Sequence, residues 1–514
     1  MAGPGSLRAY PAEVSSVSTH HRSRARRRAI ALGVGFLLLA SALTFTKVAW
    51  SRKTPTTRPN VILILTDDMR WDELANMPNV RSLLMAHGVT FTRAFVSNSL
   101  CCPSRAGTLS GQFSSRNRVW NNDWTRRSPW GGFRSFLPHE HRTLAVWLHD
   151  AGYQTSLVGK YLNGYGEDST PLGPRPGWDN WEAFYGGTKY YDYQLNLNGT
   201  LSQYGESPDD YSTTVLENLA TEYVQHAPID SPFFLYFAPY APHEPFLPAP
   251  AYADALPWCA AGTLPPGCYR PYTSPNIAEV NVSDKPTWVQ RLPLRGARWN
   301  PFRRHQEQQL LSVDDAVGAL VAAVAARGQL SHTMFVFTSD NGLSGGSHRW
   351  IGKKTPWEEA IRVPMVVRYD PLTAPRAGTV DASAMLLNAD FAPSVLAATG
   401  VVRPADYRFD GRSWLPLLRD APIHWRTAFP LEHLSHAGVD PPSYCGVRTD
   451  GWGDLPGQWM FVRYIRGAEE LYHLNADPYE LGSLNADPRF AHAEAELLRL
   501  TMRLCNPPPP GYRW

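Results

Sequence analysis

Three short segments of the chain carry residues whose types and spacing could do chemistry. Two of them are polar, Thr66-Asp67-Asp68 and Ser339-Asp340-Asn341-Gly342, and the third begins with the adjacent cysteines Cys101 and Cys102. Two acids in one segment, and an acid with an amide in another, form an all-oxygen ligand set that suits a hard divalent cation, Ca²⁺ or Mg²⁺. Turn acids that cap helices would explain either segment alone, so it is the pair of segments that predicts a cation site.

The cysteine segment predicts a sulfur nucleophile next to that cation. Pro103 suits the first turn of a helix, which would place Cys101 at the partly positive N-terminal end, where anions are favoured. A thiol in that position is expected to be activated. Cys102 receives no role from the sequence, because disulfide geometry strains a bond between adjacent cysteines.

The segment 101–111 resembles the signature of the sulfatase family, Cys-x-Pro-Ser-Arg followed by Leu-x-Gly. The resemblance extends, in order, over most of residues 59–490. Its further matches are 60–68, Gly159-Lys160, 241–245 around His243, 339–342, Lys353 ahead of 357–364, and 470–480. This resemblance implies a sulfuric ester hydrolase that cleaves sulfate monoesters.

The resemblance also implies which residues do the chemistry. Cys101 is converted into formylglycine by a formylglycine-generating enzyme, and that residue holds one divalent cation, Ca²⁺ or alternatively Mg²⁺, together with Asp67, Asp68, Asp340 and Asn341. The hydrated aldehyde attacks the sulfate sulfur, and its second hydroxyl later expels the sulfate. The other expected roles are sulfate binding for Lys160 and Lys353, support of the diol for Arg105, and protonation of the leaving alcohol for His243 or Lys353.

The chain also departs from the commoner family pattern. Tyr161-Leu162-Asn163 follows Lys160 where many sulfatases have Trp-His, so Asn163 is expected to replace a histidine as a polar contact to substrate. Together with the Cys-Cys-Pro-Ser-Arg run, this segment resembles the N-acetylglucosamine-6-sulfatase branch, which implies a sulfated sugar or glycan as substrate. His348 has no fixed counterpart, and a contact to the substrate and a structural role are both open for it.

Two other functions fit part of the pattern. Metal-dependent phosphomonoester and phosphodiester hydrolases of the same superfamily also place Asp pairs at strand ends, but they use Ser or Thr as nucleophile and bind two zinc ions through extra histidines. No such histidine cluster is evident in the sequence. The second alternative is an exported protein that binds anionic glycans and whose Cys101 is never converted; the presence of Lys160, His243 and Lys353 argues against it.

These residues require a scaffold that brings strand ends together. The runs 60–65, 233–237 and 334–338 are continuous and apolar, which is typical of strands covered on both faces. Apolar residues recur at helical spacing from Leu310 to Val324 and stop before Gly328. We therefore expect an α/β fold, with a doubly wound, mostly parallel central sheet flanked by helices and with ligands bound beyond the carboxyl ends of the strands.

The texture of the sequence divides the chain into segments. We expect a basic N-terminal segment at 1–28, a signal peptide or signal-anchor helix at 29–46, a linker at 47–58, the catalytic domain at 59–424 and a smaller C-terminal α+β subdomain at 425–514. The region 245–300, rich in Pro, Trp and Arg, reads as an insertion near the site. The N-terminal pattern predicts export, with the protein either secreted or anchored in the membrane by the apolar helix.

The distribution of charge and the cysteines agree with an exported protein that does not bind nucleic acid. The formal net charge is +3 over 514 residues, but nine of the basic residues lie within 1–53, and the rest of the chain carries more acids than bases. An acidic body is a poor partner for a phosphate backbone, so nucleic-acid binding is excluded. Export permits disulfides, and we predict one between Cys259 and Cys268 across a short Gly- and Pro-rich loop and a second between Cys445 and Cys505.

Overall fold

The computed structural model describes residues 58–514 except 124, 126–128, 168–169, 295 and 437–440. In chain order its strands are β1 Asn60–Thr66, β2 Val89–Phe91, β3 Ala94–Phe95, β4 Gln154–Gly159, β5 Asn180–Tyr185, β6 Tyr193–Leu197, β7 Thr200–Tyr204, β8 Phe233–Ala238, β9 Thr333–Ser339, β10 Arg362–Val363, β11 Met365–Arg368, β12 Thr379–Asp381, β13 Leu386–Leu387, β14 Ala428–His433, β15 Tyr444–Trp452, β16 Leu455–Tyr464 and β17 Glu469–His473. Its α-helices are Cys101–Ser110, Ser114–Asn117, Gly132–Phe136, Leu144–Asp150, Ser212–His226, Thr287–Gln290, Asn300–Ala326, Glu358–Ile361, Asp370–Thr373, Phe391–Thr399, Leu415–Leu418 and Ala491–Leu504. The predicted segments 1–28 and 29–46, and the linker up to residue 57, lie outside the described residues.

The largest sheet has ten strands in the order β12-β2-β11-β9-β1-β8-β4-β5-β6-β7. Its five central strands, from β9 to β5, are parallel, whereas β11 on one side and β6 and β7 on the other pair antiparallel. The expectation of an α/β fold with helices around a central sheet is therefore confirmed. The sheet is more mixed than the sequence indicated, because its antiparallel outer strands are short and partly polar.

Both faces of the sheet are covered, which explains the continuous apolar strands. Alternate residues of β1 belong to two different cores, with Val61, Leu63 and Leu65 on one face and Ile62 and Ile64 on the other. The helices Cys101–Ser110, Leu144–Asp150 and Phe391–Thr399 contribute to the first core, and Ser212–His226 and Asn300–Ala326 to the second. Period-two alternation disappears when both faces of a strand are buried.

The helix Asn300–Ala326 carries the predicted helical spacing. Its residues Leu310, Val317 and Val324 are buried in the core, and the chain turns at Gly328, whose φ is +67°. Among the described residues it is the one helix long and apolar enough to cross a membrane. Most of its apolar stretch is buried against the sheet, which is what a core helix requires.

The C-terminal part forms a separate antiparallel sheet in the order β14-β15-β16-β17. The helix Ala491–Leu504 packs on it through Leu497 and Leu500. A disulfide joins Cys445 in β15 to Cys505 at the end of this helix, and another joins Cys259 to Cys268 in the region predicted as an insertion. A third, three-stranded sheet consists of β10, β3 and β13. The domain boundary between 424 and 425 stays a prediction.

Candidate active site

The two polar segments meet because β1 and β9 are neighbours in register, with Thr66 opposite Ser339. The Asp340 amide donates to the Thr66 carbonyl at 3.0 Å, so the residues after both strands leave the sheet side by side. The Asp68 amide then donates to Asp340 Oδ1 at 3.2 Å, and Asn341 Nδ2 donates to Asp68 Oδ1 at 2.6 Å. Parallel strand ends thus bring together all four oxygen-bearing side chains that the sequence assigns to the cation.

The helix Cys101–Ser110 delivers the cysteine to the same place. Every one of its residues is buried, and Cys101 Sγ lies 3.4 Å from Asp67 Oδ1. The amide of Cys102 at the helix start donates to Asn122 Oδ1 at 2.9 Å, while the Cys102 thiol accepts the Asn163 amide at 3.0 Å. The second cysteine therefore has a local task, since it joins the nucleophile helix to the loop that follows Lys160.

Arg105 links the acids from one turn further along this helix. Its Nε donates to Asp340 Oδ2 at 2.7 Å, and its Nη2 lies 3.5 Å from Asp67 Oδ2. The guanidinium is fully buried and also donates to the Lys160 carbonyl at 3.0 Å. In this structure Arg105 fixes the two carboxylates that follow β1 and β9.

The two lysines contact the acids from opposite sides of the site. Lys160 Nζ forms an ion pair with Asp67 Oδ2, whereas Lys353 Nζ donates to Asp68 Oδ1 at 2.5 Å and to Cys101 Sγ at 2.8 Å. Lys160 can follow β4 so closely only because Gly159 has no side chain. A Cβ at that position would lie 2.1 Å from the Ala238 carbonyl oxygen, and its φ is +114°.

His243 lies at the rim of the site. Its Nε2 is 3.6 Å from Asp68 Oδ2, and its Nδ1 is 2.6 Å from the Glu244 carbonyl, which directs the ring. Two tyrosines that sequence reasoning missed support it: the Tyr240 ring stacks on the imidazole at 4.7 Å, and the Tyr190 hydroxyl donates to the His243 carbonyl at 2.7 Å. Tyr240 precedes His243 by three residues at the end of β8, which was its only signal in the sequence.

The charges of the site shift several pKa values. Burial raises the pKa of Asp67, but Lys160, His243 and the other cations outweigh it, so this carboxyl titrates far below its usual range. Burial and the neighbouring Asp67 raise the pKa of Asp340 to about 6. Burial, with Asp67 adding to it, also raises the pKa of the Cys101 thiol to about 12.

The raised pKa of the unmodified Cys101 thiol runs against the prediction of an activated sulfur nucleophile. The helix N-terminus favours an anion, but the loss of water and the adjacent carboxylate oppose it more strongly. The cysteine itself is a poor nucleophile in this site.

Of the two residues predicted to contact the substrate, Asn163 lies next to the candidate active site and His348 does not. Asn163 lines a cavity of about 220 Å³ next to Lys160, together with Glu167, Phe184 and Thr188, and its Oδ1 has no hydrogen-bond partner among the described residues. His348 lies elsewhere. It is fully buried, its Nδ1 is 2.7 Å from Glu279 Oε2, and it contacts a second group of acids instead of the residues around Asp68. These contacts support a structural role for His348 and not a contact to the substrate.

The donor set of the site fits a divalent cation. Ligand atoms of Asp67, Asp68, Cys101 and His243 all lie within 4.8 Å of one another. Asn341 Oδ1 is buried without a hydrogen-bond donor among the described residues, and a buried acceptor without a partner costs about 1–3 kcal/mol. Carboxylate and amide oxygens with one such orphaned acceptor fit a hard divalent ion.

Comparison with known proteins gives a consistent result. The sulfatase family model matches residues 59–401, and a model of the C-terminal part of N-sulphoglucosamine sulphohydrolase matches 346–505. The chain is 34% identical to the N-acetylglucosamine-6-sulfatase of Homo sapiens, over 89% of this chain and 88% of the relative. It is 32% identical to the extracellular sulfatase SULF-1 homolog of Drosophila melanogaster, over 73% of this chain and 33% of that one.

Two solved structures show the same fold. One, in complex with its substrate D-glucosamine-2-N,6-O-disulfate, has a TM-score of 0.68 and 24% identity and covers 88% of this chain and 99% of its own. The other is the phosphonate monoester hydrolase of Agrobacterium radiobacter, with a TM-score of 0.65 and 22% identity over 87% of this chain and 95% of its own. At these identities the likeness concerns the fold alone.

Proposed function

The chain belongs to the sulfatase family, and we propose that the ester it hydrolyses is a sulfate monoester of a sugar, with a 6-O-sulfated glucosamine unit as the first candidate. Membership of the family makes it a sulfuric ester hydrolase. The choice of sugar is supported by the relatives named N-acetylglucosamine-6-sulfatase, which align over nearly the whole chain. It is also supported by the cavity beside Lys160, whose polar residues Asn163, Glu167 and Thr188 can bind sugar hydroxyls.

The observation that carries the proposal is the balance of charge in the site. Three carboxylates, Asp67, Asp68 and Asp340, face two lysines and one arginine within a buried cluster. A divalent cation added to this set leaves a net excess of positive charge of about two units. A sulfate monoester carries one negative charge, which this excess is sufficient to balance; the preference for sulfate over phosphate is supported by membership of the sulfatase family.

Two groups that complete the site follow from the family, which uses a divalent cation and a formylglycine. We propose that Asp67, Asp68, Asp340 and Asn341 hold the cation, that this ion is Ca²⁺, and that a formylglycine-generating enzyme converts Cys101. Ca²⁺ takes more protein oxygen ligands than Mg²⁺, which usually keeps several of its waters, so a set of four oxygen-bearing side chains favours Ca²⁺. Once present, the two groups supply positive charge and an oxygen nucleophile that replaces the inert thiol.

The protein's own residues then bind and orient the ester. Lys160 and Lys353 are paired with the carboxylates that would hold the cation, so a cation on those oxygens competes with the ammonium groups and makes them available to sulfate oxygens. Arg105 holds Asp67 and Asp340 in place. His243 is the most exposed of the cationic candidates, with 18% of its side chain accessible against 12% for Lys353 and 3% for Lys160, and we assign it the proton for the leaving sugar oxygen.

Export is part of the same proposal. The N-terminal basic and apolar segments direct the chain out of the cytoplasm, either as a secreted enzyme or anchored by residues 29–46. The two disulfides agree with an oxidising destination. A sulfated glycan outside the cell would then be the natural substrate class.

The experiment compares matched esters on the purified enzyme after conversion of Cys101. We expect kcat/KM for N-acetylglucosamine 6-sulfate to exceed that for N-acetylglucosamine 6-phosphate and for the 3-sulfate of the same sugar. Asp340→Asn serves as the background control. A higher kcat/KM for the phosphate would contradict the proposal and favour a phosphohydrolase, while a higher value for the 3-sulfate would contradict the choice of ester.

A further inference from the structure

A second buried cluster of ligand-type residues lies apart from the candidate active site. His348, Glu359 and Glu480 each offer one ligand atom, and these atoms all lie within 4.8 Å of one another. His348 and Glu359 come from one stretch of chain after β9, in the loop and in the short helix Glu358–Ile361, whereas Glu480 comes from the C-terminal segment after β17. All three residues are at least 95% buried.

The imidazole is held in the form that binds metals. His348 Nδ1 lies 2.7 Å from Glu279 Oε2, and Glu279 is in turn 3.3 Å from Lys285 Nζ. Because a carboxylate accepts, Nδ1 carries the proton, and the lone pair of Nε2 faces the cluster. Histidine ligands of metals in proteins almost always have such a carboxylate or carbonyl on their other nitrogen.

The cluster contains more acceptors than donors. The Asn276 amide is its main donor, and its two hydrogens are shared among Glu359 Oε1 at 2.6 Å, the Tyr479 carbonyl at 3.3 Å and His348 Nε2 at 3.4 Å. The other carboxylate oxygens, Glu359 Oε2 and Glu480 Oε1, have no hydrogen-bond partner among the described residues. Buried acceptors in this state are costly, and a cation would satisfy several of them at once.

From this arrangement we infer that His348, Glu359 and Glu480 form a second metal site, for a divalent transition ion of the zinc class. One imidazole nitrogen with two carboxylates is a donor set that zinc accepts, whereas Ca²⁺ and Mg²⁺ prefer oxygen alone. The site is structural, because the Trp357 ring, 4.5 Å from the imidazole, covers it and its residues are closed to solvent. It is independent of the substrate proposed above.

The position of the site gives the ion a specific effect. Lys353 lies five residues after His348 and six before Glu359, so both ends of the segment that carries the active-site lysine would be fixed to one ion. Glu480 would fix the same ion to the C-terminal segment, where its Oε2 already accepts the Glu358 amide at 3.2 Å. Loss of the ion should therefore loosen Lys353 without removing any residue of the active site.

The test measures zinc in the full-length purified protein after growth with zinc and dialysis. We expect about one zinc per chain in the wild type, less than about a tenth of that in Glu359→Gln/Glu480→Gln, and an unchanged value in the charge-matched surface double variant Glu206→Gln/Glu496→Gln. Asp340→Asn, which alters the catalytic cation site, should also keep its zinc. A wild type without zinc, or a Glu359→Gln/Glu480→Gln variant that retains it, would overturn the inference.

A spectroscopic measurement covers the case in which the double variant fails to fold. Zinc is extracted from the wild type with 1,10-phenanthroline, and Co²⁺ is titrated back as the probe. We expect saturation at one equivalent with a visible d–d band of a site that contains nitrogen, and a lower Tm for the extracted protein than for the reloaded one. Absence of the band, or an unchanged Tm on extraction and reloading, would contradict a structural metal site.

Discussion

Asp68 is the residue on which three parts of the candidate site converge. Its Oδ1 accepts from Lys353 at 2.5 Å and from Asn341 at 2.6 Å, and its Oδ2 lies 3.6 Å from His243 Nε2. The backbone is also unusual here, because Asp68 has a φ of 72°. We therefore expect this carboxylate both to ligate the proposed cation and to orient the groups that contact the ester.

Asp68→Asn should reduce cation binding and activity without unfolding the protein. The amide has the same shape but lacks the charge, so we expect calcium content to fall below about a tenth of an ion per chain and kcat/KM to drop on the order of 10³, about 4 kcal/mol of lost transition-state stabilisation. Metal analysis and steady-state kinetics check this, with the exposed Asp192→Asn as the matched control. A variant that keeps its calcium and most of its activity would show that Asp68 is not a ligand.

Sequence reasoning succeeded at this scale where position follows from strand ends. It placed Asp67, Asp68, Asp340 and Asn341 together, since parallel neighbours end at one edge. It did not anticipate the raised pKa of the Cys101 thiol, because that pKa depends on burial and on facing charges that the sequence does not display. It left the role of His348 open, because some of the residues that surround this histidine, such as Glu480, are far away in the sequence.

At the scale of elements, the end of β4 must approach β8 very closely to present Lys160. Gly159→Ala brings a Cβ against the Ala238 carbonyl oxygen at a φ of +114°. We expect a loss of about 2–3 kcal/mol of stability and a marked rise in KM, because Lys160 would be displaced. Urea unfolding and kinetics measure both effects.

Substitutions at two other glycines distinguish the effect of backbone strain from the effect of close approach. Gly152 shares the positive φ but has open space around it, and Gly173 has neither strain nor a close neighbour. Gly152→Ala should therefore cost about 1 kcal/mol and Gly173→Ala close to nothing. Equal losses in all three variants would refute the argument from close approach.

The buried side chain of Glu432 in β14 makes the stability of the protein depend on pH, and this dependence can be tested. Burial raises its pKa to about 8, above the value of an unfolded chain, so the folded state holds the proton more tightly. The stability that this group contributes is present below the unfolded pKa and is lost as pH rises towards 8. At pH 7 the loss amounts to at most about 3 kcal/mol.

Glu432→Gln keeps the neutral form at every pH. We expect its Tm to match the wild type near pH 4.5 and to exceed it at pH 8, as measured by thermal unfolding at both values. Glu496→Gln, at a partly exposed side chain of the C-terminal helix that pairs with Arg499, is the control and should show no such dependence. Parallel curves for Glu432→Gln and the wild type would contradict a buried neutral carboxyl.

At the scale of the whole molecule, the C-terminal sheet and its helix are tied by a disulfide that closes a long loop. Cys445 and Cys505 are 60 residues apart, whereas Cys259 and Cys268 are only nine apart. Chain entropy alone gives about 4 kcal/mol for the longer loop and about 3 for the shorter one. Both pairs agree with what cysteine spacing predicted, although the sequence could not show that Cys505 ends a helix packed on β15.

Removing each disulfide by paired Cys→Ala changes tests this difference. We expect Cys445→Ala/Cys505→Ala to lower the free energy of unfolding more than Cys259→Ala/Cys268→Ala does. The second pair of changes removes a disulfide that closes only a short surface loop. Denaturant unfolding under non-reducing conditions measures both. A larger loss from the shorter loop would mean that local packing, and not loop closure, decides the contribution.

The architecture as a whole was accessible from the sequence because buried strands and a long amphipathic helix leave strong patterns. The outer strands of the sheet were not, since β6, β7 and β12 are short and incompletely buried. The aromatic support of the site, such as the hydrogen bond from Tyr190 to the His243 carbonyl, arises from contacts between loops that are distant in the sequence. Such contacts leave no local pattern to read.

We propose that Cys101 does not act as a thiol but is converted to an aldehyde that does the chemistry. The most direct test is the mass of the peptide that contains residue 101, taken from a preparation that hydrolyses N-acetylglucosamine 6-sulfate. We predict a peptide that has lost sulfur and two hydrogens and gained one oxygen, with Cys102 intact. An active preparation in which residue 101 is entirely unmodified cysteine would contradict the account.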